Sequence, residues 1–116
     1  MAIRLSLAVA AIIAVLTLAP IPSGPAPVLG VDKLEHLLAF GALAVPLSWR
    51  VPRLWGVVAL AVIAYGGAIE IVQPLAGRNA EWGDLAADAV GAVAAAWCAS
   101  RLGIARARAR ARSQGR

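Results

Sequence analysis

The stretch LWGVVALAVIAYGGAIEIV, residues 54–72, decides the fold class. Its one charged side chain, Glu70, stands two residues from its end. A helix that crosses a bilayer needs roughly 20 predominantly apolar residues, or about 17 at the short end, and this run qualifies. Three more apolar runs surround it. Residues 5–19 are broken only by Ser6 and Thr17, residues 34–49 follow the Asp32-Lys33 pair, and residues 85–98 follow Asp84. The second and fourth runs approach spanning length only when their polar starts, Asp32 and Asp84, are included. Polar residues are therefore expected at the membrane boundary. Between the first two runs, Pro20, Pro22, Pro25 and Pro27 forbid a regular helix over residues 20–30.

The whole chain agrees with that stretch. Its 116 residues are 61% hydrophobic and only 15% charged, with mean hydropathy +0.79. A soluble domain is nearer half apolar, so folding in water would leave a very large apolar surface exposed. The same composition excludes disorder, and the length excludes two ordinary domains. One cysteine, Cys98, excludes an internal disulfide framework and a Cys-based zinc site. Its simplest role is that of a small buried residue. The first run also has the outline of a signal peptide, with Arg4, an apolar stretch and small residues. Cleavage after Ala19 would put Pro20 at the first mature position, so a retained helix is the favoured reading. The expected fold is an all-α integral membrane bundle of four transmembrane helices over residues 1–104, with an Arg-rich cytoplasmic tail over residues 105–116.

Charge orients the bundle. The formal net charge is +5, and Arg106, Arg108, Arg110, Arg112 and Arg116 account for all of it. A pI near 11.1 would suit nucleic acid. Here the basicity is a short tail on an apolar body, so anionic lipid headgroups are the expected partner and nucleic acid is not. As a helix the alternating Ala-Arg tail would scatter charge over all faces; as coil it would be a polybasic arm. Either way it is read as a topology anchor. With four spans, Arg4, Arg50, Arg53, Arg101 and the tail share one side, against Lys33 and Arg78 on the other. The positive-inside bias then puts both termini in the cytoplasm. Trp49, Trp55 and Trp97 fall near the inner interface and Trp82 near the outer one.

That orientation gathers the ionisable residues on the outer side. Asp32, Lys33, Glu35 and His36 open the second span, and Glu70 and Gln73 close the third. Arg78, Glu81, Asp84 and Asp88 occupy the next loop and the start of the fourth span. Asp32 and His36 are one helical turn apart, as are Asp84 and Asp88. Gly91 and Ala95 continue the Asp84–Asp88 stripe, and Gly66 and Gly67 precede Glu70; small residues there admit a close helix neighbour.

Taken in order, Asp32-Lys33-x-x-His36-x-x-x-Phe40, Glu70-x-x-Gln73, Gly77-Arg78 and Asp84-x-x-x-Asp88-x-x-Gly91 resemble the motifs of VanZ-like membrane proteins. The resemblance covers residues 31–97, more than half of the chain. That family often has Asn at the position of Asp88. The resemblance implies a small helical protein of the bacterial cytoplasmic membrane, in a family named for a member that lowers susceptibility to teicoplanin. It supplies no reaction and no catalytic set.

The expected site is a polar pocket of Asp32, Lys33, His36, Glu70, Gln73, Arg78, Asp84 and Asp88. Each residue also has a structural role open to it. His36 can bond Asp32 or Glu70; Glu70 can pair with Arg78, Lys33 or His36; Arg78 can neutralise Glu70 or Asp84; Asp84 suits a helix cap or first turn. Phe40 and Tyr65 are core or lipid-facing aromatics. Arg78 could instead fork onto a phosphate or carboxylate of a cell-wall precursor. Glu70, Asp84, Asp88 and His36 have the donor types for a divalent ion. No fixed ligand motif such as His-x-x-x-His is present, and no metal or cofactor is expected. The serines Ser6, Ser23, Ser48, Ser100 and Ser113 lie away from the cluster, so no Ser-His-Asp arrangement is supported. P-loop and dinucleotide fingerprints are absent.

The leading reading is a protein that binds or shields an envelope component. A membrane enzyme using Glu70 and His36 on a lipid-linked headgroup, and a structural partner subunit, are the alternatives. The bundle is small, which leaves room for a homo-oligomer. The topology is directly testable: a cysteine placed at position 78 is expected to react with an impermeant thiol reagent from outside the cell. Labelling only from the cytoplasm would invert the orientation.

Overall fold

The computed structural model describes residues 1–19 and 30–115. The proline-rich stretch, including Ser23 and the residue after the considered cleavage point, lies outside the described residues, as does Arg116. Among the described residues the chain is helical and contains no strand. Helix α1 spans Ala2–Leu18, α2 Val31–Arg50, α3 Trp55–Val72 and α4 Trp82–Gln114.

Local chemistry sets the helix ends. Gly30, at φ +87°, turns the chain into α2, and Asp32 lies in its first turn, where a negative charge suits the exposed N–H groups. Val51 precedes Pro52, and the residue before a proline is pushed out of the helical region; α2 stops there and a 3-10 turn, Pro52–Leu54, leads into α3. After α3, a second 3-10 turn over Gln73–Ala76 ends at Gly77, whose φ of +73° a side chain would strain. Asp84 occupies the first turn of α4 but makes no capping hydrogen bond. Its helix-terminal role is therefore that of a first-turn acid, not a cap.

Four helices match the four apolar runs, but two segments pass the test of length and hydropathy for crossing a bilayer, Pro52–Ala76 and Trp82–Gln114. Helix α1 has 17 residues, which is short, and α2 carries Asp32, Lys33, Glu35 and Arg50 within its 20 residues. Large apolar side chains stand exposed on α1, α3 and α4, among them Leu7, Ile12, Leu16, Val57, Leu60 and Ile71. In water that much apolar surface would be unusual for a monomer. Helix α4 runs unbroken through the Ala-Arg repeat. Its 33 residues extend about 50 Å at about 1.5 Å per residue, well beyond the roughly 30 Å hydrocarbon layer of a bilayer. The tail is thus helical and not coil.

The core sits where α2, α3 and α4 meet. Phe40, Leu43 and Ala44 come from α2, Val58, Ala59, Val62 and Ile69 from α3, and Ala92 and Ala96 from α4; Ile13 reaches in from α1. Helix α1 packs on α2 and α3 and does not touch α4 among the described residues. Hydrogen bonds along its length help to fasten it: Tyr65 Oη donates to the Ala10 carbonyl at 2.6 Å and Ser6 Oγ to the Leu43 carbonyl at 3.5 Å.

Glycine lets α2 and α4 approach. A Cβ on Gly91 would collide with the Leu37 carbonyl, and one on Gly103 would meet the Trp49 carbonyl at 2.6 Å. Backbone thus lies against backbone over three turns of α4. Gly66 is tight too, 2.7 Å from Asp88 Oδ2 to a built Cβ, whereas Gly67 faces open space and has no packing role. Cys98 is exposed rather than buried, because Ala96 and Ala99 take the inward positions of that turn. Gly91→Ala is expected to cost about 1–3 kcal/mol by overpacking, and Gly67→Ala to gain about 0.5–1 kcal/mol through helix propensity. Thermal unfolding of the detergent-solubilised protein compares the two.

Candidate functional site

The start of α2, the end of α3 and the start of α4 lie at one end of the bundle, so residues far apart in sequence meet there. They form two layers. The outer layer is built on Lys33. Its Nζ donates to Glu81 Oε2 at 2.9 Å, to Asp84 Oδ1 at 3.0 Å and to Asp32 Oδ2 at 3.2 Å. One ammonium with three donors thus serves three carboxylates. The layer is partly open to solvent, with the Lys33 side chain 41% exposed and that of Asp84 11%.

The inner layer is built on Asp88, which is 1% exposed. Asp88 Oδ1 lies 2.9 Å from His36 Nδ1, and the opposite ring nitrogen, Nε2, lies 3.7 Å from Asp84 Oδ2. The imidazole therefore stands between two carboxylates. It also stacks on Phe40, ring centroids 6.0 Å apart and 3° from parallel. Phe40 is fully buried, so its position fixes that of His36. Asp88 Oδ2 has no hydrogen-bond partner among the described residues.

Glu70, buried at 8% exposure, completes the inner layer. Its Oε2 accepts the Glu81 backbone N–H at 2.8 Å, which ties the α3–α4 connection to α3. With its amide nitrogen turned toward Glu70, Gln73 donates to both carboxylate oxygens at 3.2 and 3.3 Å. The opposite orientation reaches the Thr17 carbonyl at 3.4 Å but sets the amide oxygen against the carboxylate, two acceptors face to face. The first orientation is the one the chemistry supports.

Three expected pairings differ from those observed. His36 bonds Asp88, not Asp32 or Glu70, because helix packing brings α4 across that face of α2 while Lys33 draws Asp32 outward. Glu70 is held by a backbone N–H and an amide, not by Arg78, Lys33 or His36. Arg78 bonds neither Glu70 nor Asp84; its Nη1 donates to the Ala19 carbonyl at 3.3 Å, fastening the end of α1. Glu81 belongs to the cluster although it is not among the residues expected in the pocket. Its place beside Asp84 at the start of an apolar run was the available signal.

Beside the layers lies a cavity of about 380 Å³. Its lining mixes apolar Ile13, Leu16, Ala39 and Phe40 with polar Thr17, Asp32, Glu35, His36, Gln73, Arg78, Asn79, Glu81 and Asp84. Two donor sets could hold a cation: His36, Glu70 and Asp88 in the inner layer, and Asp32, Glu81 and Asp84 in the outer, each with donor atoms within 4.8 Å of one another.

The outer layer makes a simple prediction. Lys33→Met leaves three carboxylates facing one another and is expected to lower the thermal midpoint. Adding Asp84→Asn removes part of the repulsion and recovers part of the loss, which a double-mutant cycle in low and high salt detects.

The comparisons with known proteins bear on what such a site serves. No curated protein and no solved structure matched the chain. The family model described as VanZ/LLP1 matches residues 3–104, all four helices except the Arg-rich end of α4. With two segments long and apolar enough to cross a bilayer, the match makes this a membrane protein, and its extent over most of the chain shows that the chain belongs to the VanZ/LLP1 family.

Proposed function

We propose that the protein binds the headgroup of a cell-envelope component in the cavity at the acidic end of the bundle, and so shields it and lowers susceptibility to teicoplanin. The observation that carries this reading is the mixed apolar and polar lining of the cavity. Four apolar residues share the lining with nine that bear hydrogen-bonding groups, and the volume of about 380 Å³ falls within the range of small-molecule sites. An amphiphile, with an apolar part in or near the bilayer and a polar head, suits such a lining. The lining carries Asp32, Glu35, Glu81 and Asp84 against Arg78 and the one Lys33 ammonium that three of these acids share. That balance favours an amine- or hydroxyl-bearing head, with Arg78 available for a single carboxylate or phosphate.

In this reading all four helices span the bacterial cytoplasmic membrane, both termini are cytoplasmic and the cavity opens on the outer side. The far end of the molecule fits. Arg101 lies over the Trp97 ring at 5.2 Å and Arg106 over Trp49 at 5.8 Å, the pairing of ring and cation found at membrane interfaces. The exposed arginines beyond them would meet anionic headgroups of the inner leaflet.

The test is teicoplanin susceptibility of cells expressing wild type, Ala39→Trp or Arg78→Ala, with membrane abundance of each measured. Ala39→Trp fills the cavity without altering any ionisable group. Protection by wild type that falls to the empty-vector level in an equally abundant Ala39→Trp supports the reading. Protection that tracks abundance alone reduces the cluster to a packing role, and absence of protection by well-expressed wild type rejects the teicoplanin reading.

A further inference from the structure

We propose that His36, Glu70 and Asp88 form a site for one divalent first-row cation of the zinc or manganese type, at the junction of α2, α3 and α4. A ring nitrogen and two carboxylate oxygens from three helices lie within 4.8 Å of one another. Metal–ligand bonds of about 2.0–2.2 Å place neighbouring donors about 3–4 Å apart, so modest side-chain closure completes the set. The His36 Nδ1 to Asp88 Oδ1 separation is already 2.9 Å.

A second observation is independent of the clustering. Asp88 is 1% exposed, yet its Oδ2 accepts no hydrogen bond among the described residues. A buried carboxylate oxygen without a partner is costly. This oxygen faces α3 at Gly66, 2.7 Å from where a Cβ would stand, one helical turn before Glu70. It lies against the helix that carries the other carboxylate. Gly66 leaves the space for it.

Charge separates this donor set from the outer one. Asp32, Glu81 and Asp84 already surround a cation, the Lys33 ammonium, at 2.9–3.2 Å. No Lys or Arg of the described chain forms an ion pair with Glu70 or Asp88. Two buried acids and one histidine thus lack the fixed cation that their neighbours have.

The surroundings also orient the donors. Asp84 stands behind His36 on the Nε2 side at 3.7 Å; once a cation takes the place of the Nδ1 proton, a carboxylate there can accept the N–H that remains on Nε2 and orient the ring. The Glu81 N–H fixes the Glu70 carboxylate from outside at 2.8 Å. A mixed nitrogen and oxygen set suits zinc or manganese better than the all-oxygen shells of calcium and magnesium.

The experiment uses the full chain in detergent with any affinity tag removed. The protein is stripped with chelator and titrated calorimetrically with Zn²⁺ and, separately, with Mn²⁺; bound metal is counted by mass spectrometry. One ion per chain is expected in wild type. Asp88→Asn and His36→Ala are expected to abolish stoichiometric binding, and Asp84→Asn to weaken it about 10- to 100-fold. Glu35→Gln, on the cavity wall but outside the donor set, matches wild type. Helical circular dichroism verifies folding, with Glu70→Gln replacing any variant that fails. Cobalt(II) adds a readout on wild type alone, since ligation by nitrogen and oxygen gives visible d–d bands without a thiolate charge-transfer band. No saturable binding by folded wild type, or equal binding by wild type and the folded donor variants, overturns the proposal. None of these readouts depends on the ligand of the cavity.

Discussion

Much of this structure depends on the burial of one carboxylate, Asp88, among three helices. Removing a charged group from water costs several kcal/mol unless partners replace the solvent. The partner is His36, one hydrogen bond away at 2.9 Å. For the two to meet, α2 and α4 must come nearly into backbone contact one turn farther along, and Gly91 against the Leu37 carbonyl permits it. For Asp88 to fit beside α3, residue 66 must lack a side chain, and it is glycine. Charge burial and small residues are therefore two parts of one constraint. The glycines set the depth at which the acid can sit, and the acid gives the helices a reason to hold one register.

Around that point the charges are graded from solvent inward. Lys33 gathers three acids in the partly exposed layer, where screening by water keeps each pair weak. Asp84 belongs to both layers, with one oxygen on Lys33 and the other toward His36. Glu70 and Asp88 lie beyond, held by an N–H, an amide and an imidazole. Loss of Lys33 would thus be felt at His36 through Asp84, without any contact between the two side chains. The opposite end of the bundle has another character, with arginines over tryptophan rings and a helix that continues past the packed core.

Much of this was legible in the sequence for identifiable reasons. Hydropathy and breakers act locally, so the four apolar runs correspond to four helices. The gathering of Asp32, His36, Glu70, Asp84 and Asp88 at one end followed from counting segments, because consecutive helices in a bundle reverse direction. Pair identity was not legible. The Asp32–His36 spacing fits a helical pair, but Lys33 takes Asp32 and α4 supplies Asp88. Arg78 looked like the neutraliser of Glu70 and instead bonds a carbonyl at the end of α1. Gly66 and Gly67 are adjacent in sequence, yet one touches Asp88 and the other faces open space.

Composition and order along the chain alone determined an apolar helical protein, basic at one end and acidic at the other, with motifs resembling the VanZ-like family. These properties depend on each residue and its near neighbours. Tertiary structure alone decided which acid His36 meets, which glycine is a contact and which cysteine face is exposed. It also decided that Asp88 keeps one oxygen unpartnered among the described residues. Those depend on the rotation of each helix about its axis, which is set by close packing across α2, α3 and α4 and is invisible in any single segment.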